Sequence, residues 1–316
     1  KYSFFRKVWY ISYIIIQVHM KIILCILFFI CKYNLHSSEL IDLIGNDKYY
    51  KIKQDETLID IARINNLAFP EIMSANEGLD DPWVVKPETN ILLPTRHLLP
   101  NTKREGVIVN KGDLRLYYFS KDNTVYSFPI GIGRGNWETP TGKAKITGKK
   151  KNPYWTVPKS ILEEEPHWPK VVKPGPKNPL GSRAIYLSMP GYLLHGTNKP
   201  WGVGMKVSHG CIRLYPEDIE TLYELVKQGE RVEIIDQPVK SGWFGGVLYI
   251  EVHSMHPYGL EDEQIIENNL RLLPQATQSL QKSAGHFIKD VDWKKVINIV
   301  KKASGSPEAI LTKYNN

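Results

Sequence analysis

Cysteine is scarce in this 316-residue chain. There are three, and Cys25 and Cys31 both fall in an apolar N-terminal run, which leaves Cys211 alone in everything that follows. A solitary thiol excludes a disulfide framework for the body of the chain. Zinc-finger spacing, a basic helix and an aromatic sheet motif are also missing, so a formal net charge of +8 does not by itself indicate nucleic acid. The charge suits an anionic polymer or membrane surface equally well, or plain solubility. Gly131, Gly133 and Gly135 form a glycine trio, but no helix opening on Lys-Ser/Thr follows them, which excludes a phosphate loop. Hydrophobic residues at 42% and charged residues at 23% are ordinary for a globular protein, and the length suits two or three modules.

The N-terminal run has a direction. From Met20, the first methionine, the chain reads a positive start, an apolar stretch Ile22–Ile30 and then polar residues. This is the layout of a secretory signal peptide, with Ser37 or Ser38 as the cleavage candidates and Lys1–His19 as an upstream extension. The alternative is an uncleaved anchor from Val8 through Ile30, interrupted by Lys21. In both readings the bulk of the chain is exported. Cys31 follows Phe28-Phe29-Ile30, which lacks the small residues of a lipoprotein box, so lipidation is not expected. A lone thiol in an oxidising compartment is exposed to oxidation, and its presence there suggests use.

The stretch His195–Arg213, HGTNKPWGVGMKVSHGCIR, carries the chemistry. Cysteine attacks as the thiolate, and a nearby imidazole lowers its pKa or takes its proton. Gly210 before Cys211 leaves the backbone free of side-chain bulk, as an N–H group aimed at an oxyanion needs. A His-Gly pair sixteen residues ahead of the cysteine, then SHGC, then an arginine two residues on, resembles the signature of the YkuD-type L,D-transpeptidases, which remodel bacterial peptidoglycan. The resemblance implies a mainly β catalytic domain, a β-sandwich with one main helix. It makes Cys211 the nucleophile and His195 the base, with the carbonyl of Gly196 orienting the imidazole. Ser208, His209, Gly210 and Arg213 then fall to oxyanion or substrate binding. Arg213 either binds a substrate carboxylate in a planar fork or braces the Cys211 loop, and His209 is either a loop-packing or oxyanion-side residue or the base in place of His195. No cofactor and no metal are implied.

The remaining segments fit around that core. Residues Tyr49–Pro94 read as strand, helix, helix, strand: Asp55 is placed to cap the first helix, Pro70 opens the second, and Asn90–Pro94 closes the unit. With DETLIDIA, the Asn76 loop and ILLP, this resembles a small α+β LysM domain, which implies binding to the glycan of the wall; Gln54 stands where the family usually has glycine. His97–Arg104 reads as a linker. Gly106–Asn110 and Leu114–Tyr118 read as paired strands, Thr124–Ile132 as another, and Thr139-Pro140-Thr141-Gly142 resembles a family turn that shapes the site floor. Lys143–Lys177, basic and proline-rich, reads as a long loop or flap. Ala184–Ser188 and Arg231–Asp236 read as strands, and Pro216 starts a helix with Ile219, Leu222, Leu225 and Val226 inward.

Beyond it, Pro238–Lys240 and Gly246–His253 resemble the tail of the ErfK/YbiS branch, which attaches Braun-type lipoprotein to peptidoglycan. Two amphipathic helices, Gln264–Lys282 and Asp290–Lys302, follow. The expected division is 1–38 extension and signal, 48–95 LysM-like, 104–236 catalytic, and 237–316 extension with helices. Peptidoglycan is the expected partner, with an outer-membrane lipoprotein as a further one, in the periplasm. His253 and His256 lie three apart, without the partners a metal site needs. A cysteine peptidase and a non-catalytic wall-binding protein are the competing functions. Within the transpeptidase reading, the acceptor amine is a lipoprotein lysine or diaminopimelate, or water in a carboxypeptidase.

Overall fold

The computed structural model describes residues 42–79, 81–254 and 262–312. Met20, Cys25, Cys31, Ser37, Ser38 and the whole expected export segment lie outside the described residues, as does His256. Among the described residues, no helix is long and apolar enough to cross a membrane.

The chain begins with β1 (Leu43–Ile44) and β2 (Lys48–Lys51), then α1 (Leu58–Ile64), α2 (Phe69–Ala75) and β3 (Asn90–Leu93). Strands β2 and β3 pair antiparallel, and both helices pack over them through Leu58, Ile61, Phe69 and Ile72. Thr57, not Asp55, caps α1: its hydroxyl accepts the Asp60 N–H at 3.1 Å while the Asp60 carboxylate reaches back to the Thr57 N–H. Asp55 sits in the preceding turn at φ +63°. Pro70 occupies the first turn of α2, where its missing N–H costs nothing. Asn76 ends that helix and stitches it to β3, its side chain exchanging hydrogen bonds with both backbone groups of Leu92 at 2.7 and 2.8 Å.

The segment read as a linker contains a strand. Here β4 (His97–Leu98) pairs with β1, and His97, Leu98 and Leu99 are buried. The adjacent leucines Leu98 and Leu99 signal burial, which the prolines near them mask.

The catalytic region is built from β5 (Gly106–Asn110), β6 (Arg115–Phe119), β7 (Val125–Pro129), β8 (Ile132–Gly133), β9 (Gly142–Lys151), β10 (Trp155–Thr156), α3 (Lys159–Glu164), β11 (Val171–Val172), β12 (Arg183–Leu187), β13 (Leu193–His195), β14 (Lys206–Ser208), β15 (Ile212–Arg213), α4 (Pro216–Leu225) and β16 (Arg231–Ile235). Eight strands form one sheet in the order β15-β13-β12-β9-β16-β5-β6-β7. The β13/β15 and β16/β5 pairs are parallel and the others antiparallel. Helix α4 lays Ile219, Leu222 and Tyr223 on one face of this sheet against Val107, Ile146, Ile185, Leu194 and Ile212, making the main core. A mainly β region with one substantial helix is the architecture the sequence leads one to expect.

Two expectations need correction. Lys143–Lys151 is no loop: it is most of β9, the longest strand, at the middle of the sheet. Ala144 and Ile146 point into the core while Lys143 and Lys145 stay exposed, so the alternation of a strand was present under the lysines. A bulge near Thr147 then turns Lys149 to the helix side, where its ammonium donates to the carbonyls of Tyr223 and Val226 at the C-terminal end of α4. Thr124–Ile132 is also not one strand. It breaks at Ile130-Gly131, where Gly131 exchanges both backbone hydrogen bonds with Arg213, and β8 leaves the sheet to pair with β14.

The tail folds as β17 (Val239–Phe244), β18 (Val247–Val252), α5 (Asp262–Leu270), α6 (Leu273–Ala284), α7 (Trp293–Lys302) and β19 (Glu308–Thr312). The three strands form an antiparallel sheet covered by Ala276, Leu280, Val296 and Val300. The first expected tail helix is two, separated at Arg271-Leu272 with Pro274 in the first turn of α6.

These parts are bolted together by buried charge. Arg115, 1% exposed, pairs with Glu71 of α2 at 2.9 Å. Lys240 of β17 is fully buried, and its ammonium reaches Asp113 and Glu251 at 2.7 Å, the Leu98 carbonyl at 2.7 Å and the Tyr117 hydroxyl at 3.0 Å. Asp113, Glu251 and His253 form the group of potential metal ligands among the described residues, but the Lys240 ammonium already supplies their cation.

Candidate active site

Strand register places the signature residues. Leu194 pairs with Ile212 and His195 with Arg213 across the parallel β13/β15 ladder. Leu194 and Ile212 point into the core, so His195 and Arg213 lie on the opposite face. Cys211 enters β15 beside Leu193, two residues from His195 along the ladder; strand spacing and rise put their Cα atoms about 8 Å apart. In this conformation the thiol donates to the Gly191 carbonyl at 3.5 Å rather than to the imidazole.

His195 is 3% exposed, and its Nδ1 donates to the Gly196 carbonyl at 2.6 Å. That bond leaves Nε2 as the ring's basic nitrogen. Burial, and then the Arg213 guanidinium, depress the His195 pKa to about 3, opposed by the carbonyls of Gly196 and Pro179. Burial likewise pushes the Cys211 thiol up, with Leu193 and Arg213 pulling it partway back. The resting pair is therefore a neutral thiol and a neutral imidazole, not an ion pair. A Cβ at Gly196 would lie 3.0 Å from the Ile219 side chain of α4, a tight contact to which that side chain would have to yield.

Side-chain hydroxyls shape the loop around Cys211. Ser208 Oγ accepts the Gly210 N–H at 3.1 Å and donates to the Cys211 carbonyl at 2.6 Å. Gly210 has φ +100°, a left-handed conformation that favours glycine, and a Cβ on it would press on Tyr192 at 3.0 Å. Arg213 is half-buried, with its Nε lacking a hydrogen-bond partner among the described residues. Such a cation suits an incoming carboxylate.

His209 faces elsewhere. Its Nε2 lies 3.2 Å from Glu164 and 3.3 Å from the Arg134 guanidinium, and its ring meets Trp137 edge-on at 5.1 Å. Glu164, at the end of α3, also pairs with Arg134 and accepts from the Trp137 indole at 3.0 Å. Thus His209 is tied through Glu164 to the end of α3. Sequence reasoning does not single out Glu164, Arg134 or Trp137, although Arg134 falls within the glycine trio and Trp137 just ahead of the Thr139–Gly142 turn.

Comparison with known proteins gives the family of the chain. Residues 104–234 match the model of the L,D-transpeptidase catalytic domain and residues 50–94 that of the LysM domain. The chain is 37% identical to the probable L,D-transpeptidase YcfS of Escherichia coli K12 over 252 residues, covering 76% of this chain and 77% of that one. It is 37% identical to the probable L,D-transpeptidase YbiS of the same strain over 278 residues, 84% of this chain and 87% of that one. The probable L,D-transpeptidase ErfK/SrfK of Salmonella typhimurium is 35% identical over 277 residues, 84% and 86% of the two chains. Likeness on this scale runs through all three parts of the fold. A chain with this thiol and imidazole on neighbouring strands, and these relatives over most of its length, is an enzyme of the L,D-transpeptidase family.

Proposed function

We propose that Cys211 attacks the carbonyl of the third residue of a peptidoglycan tetrapeptide stem, diaminopimelate, and passes the acyl group to an amine. What supports this reading is that His195 on β13 and Cys211 at the entry to the neighbouring β15 both lie within the segment matching the transpeptidase catalytic domain. Because both groups rest neutral, the thiol proton moves to His195 Nε2 as the S–C bond forms. The tetrahedral intermediate then collapses: the C–N bond to the terminal D-Ala breaks, and the imidazolium gives its proton to the leaving amine. The acceptor amine resolves the thioester after His195 takes its proton. Gly196 orients the ring, and Arg213 receives a carboxylate of the stem.

The LysM segment at residues 50–94 supports a role in holding the enzyme on the glycan, and the signal-like layout after Met20 supports export to the periplasm. The tail resembling the ErfK/YbiS branch favours a lipoprotein lysine as acceptor over diaminopimelate on a neighbouring stem. The test uses purified full chain with tetrapeptide stems. C211A must abolish D-Ala release while still sedimenting with sacculi; unchanged release sinks the mechanism. Mass spectrometry of digested sacculi separates the acceptors: lysine-linked muropeptides for lipoprotein attachment, diaminopimelate dimers for 3→3 cross-links.

A further inference from the structure

We propose that Thr139 is a positioning residue for the oxyanion donor. Its side chain is fully buried against the loop that carries Cys211. The hydroxyl accepts the Gly133 N–H at 3.0 Å and donates to the Gly210 carbonyl at 2.8 Å. That carbonyl belongs to the peptide group joining Gly210 to Cys211. A trans peptide is planar, and its C=O and N–H point in opposite directions. Holding the Gly210 oxygen therefore fixes the direction of the Cys211 N–H, on the far side of the peptide from Thr139.

The neighbouring groups narrow the choice of donor. The Gly210 N–H is held by Ser208 Oγ, and so is the Cys211 carbonyl. Of the four backbone polar groups of Gly210 and Cys211, hydroxyls hold three, and the fourth is the Cys211 N–H. It is the group adjacent to the nucleophile, where an oxyanion formed by attack from Sγ needs its donor. Gly133 makes the arrangement possible, since a Cβ at that position would lie 1.8 Å from the Trp137 carbonyl oxygen, 2.9 Å from Gly210 Cα and 2.9 Å from the Thr139 nitrogen. The turn that resembles a family motif is thus a strut with a specific load: one hydroxyl spanning β8 and the peptide before Cys211.

This inference rests on Cys211 being the nucleophile, and its test separates the two. Three variants of the full chain, T139V, T139S and C211A, are compared in single-turnover acylation by tetrapeptide stems, and the first two also in alkylation by iodoacetamide. Alkylation consumes the same thiol but forms no oxyanion. T139V is expected to slow acylation by on the order of ten- to a hundred-fold, less than the loss of a whole donor, with KM little changed. Alkylation stays near the wild-type rate, and T139S restores most of the acylation. Acylation unaffected by T139V, or acylation and alkylation falling together, overturns the role of Thr139. If T139V does not fold, T139S still decides: it must fold and acylate at close to the wild-type rate, and failure to do so overturns the role. Acylation surviving in C211A overturns the underlying mechanism instead.

Discussion

His195 and Arg213 stand directly opposite each other on the parallel strands β13 and β15, a neutral base beside a fixed cation. The guanidinium is the second cause, after burial, of the low His195 pKa. Its charge therefore keeps the base unprotonated in acid. The acid limb of kcat/KM is expected near the His195 value of about 3, well below ordinary histidine titration. R213Q removes the cation and should move that limb upward, though burial still holds it under the ordinary range. A pH profile of D-Ala release checks this; an unmoved limb refutes the electrostatic role of Arg213.

The two histidines of the signature should separate cleanly in kinetics. Loss of a general base typically costs about a hundred- to ten-thousand-fold, and H195Q is expected in that range. H209Q removes a contact to Glu164 and Trp137 and should cost far less, leaving the pH profile unchanged. Equal losses in the two variants would reassign the base.

Lys240 is the strongest candidate for a stability effect remote from catalysis. K240M leaves Asp113 and Glu251 buried without their cation, and breaking a buried pair in this way costs about 3–5 kcal/mol. Denaturant unfolding should show a loss of that size. Replacing the carboxylates as well, in K240M/D113N/E251Q, should recover part of it. A K240M protein of undiminished stability would contradict the network.

Acid stability has a further source in His97. It is buried with neither ring nitrogen hydrogen-bonded among the described residues, and burial, Arg115 and Lys240 hold its pKa well below the ordinary value. The unfolded chain binds a proton there as pH falls through about 6.5, while the folded chain does not, so stability falls from that pH downward. His195 acts in the same sense. H97L should flatten the decline, seen as a smaller difference in unfolding free energy between neutral and mildly acidic buffer. An unchanged decline would clear His97 of the effect.

What the sequence made legible was local. His195, Ser208, Gly210, Cys211 and Arg213 lie within one short segment, and the strand–helix–helix–strand unit announces itself by spacing. Strand β9 was hidden because lysine covers its exposed face and proline crowds the stretch after it, so charge outweighed the alternation of Ala144 and Ile146. Thr139 could be placed in a turn but not bonded to Gly210, seventy-one residues away. Lys240 lies in a stretch resembling a family tail, yet its partners come from β4, β6, β18 and the β5–β6 turn. Long-range ion pairs leave no periodic trace along the chain.

The segment between His195 and Cys211 has its own anchorage. Gly204 packs so closely on α2 that a Cβ would come within 2.2 Å of the Ala68 Cβ, and Met205 packs against the core of the α1–α2 unit. Nearby, Arg63 of α1 grips Glu217 of α4 through two hydrogen bonds of 2.6 and 2.7 Å. The loop between His195 and Cys211 therefore shares its packing with the first module, and loosening the α1–α2 unit would remove one wall of that loop.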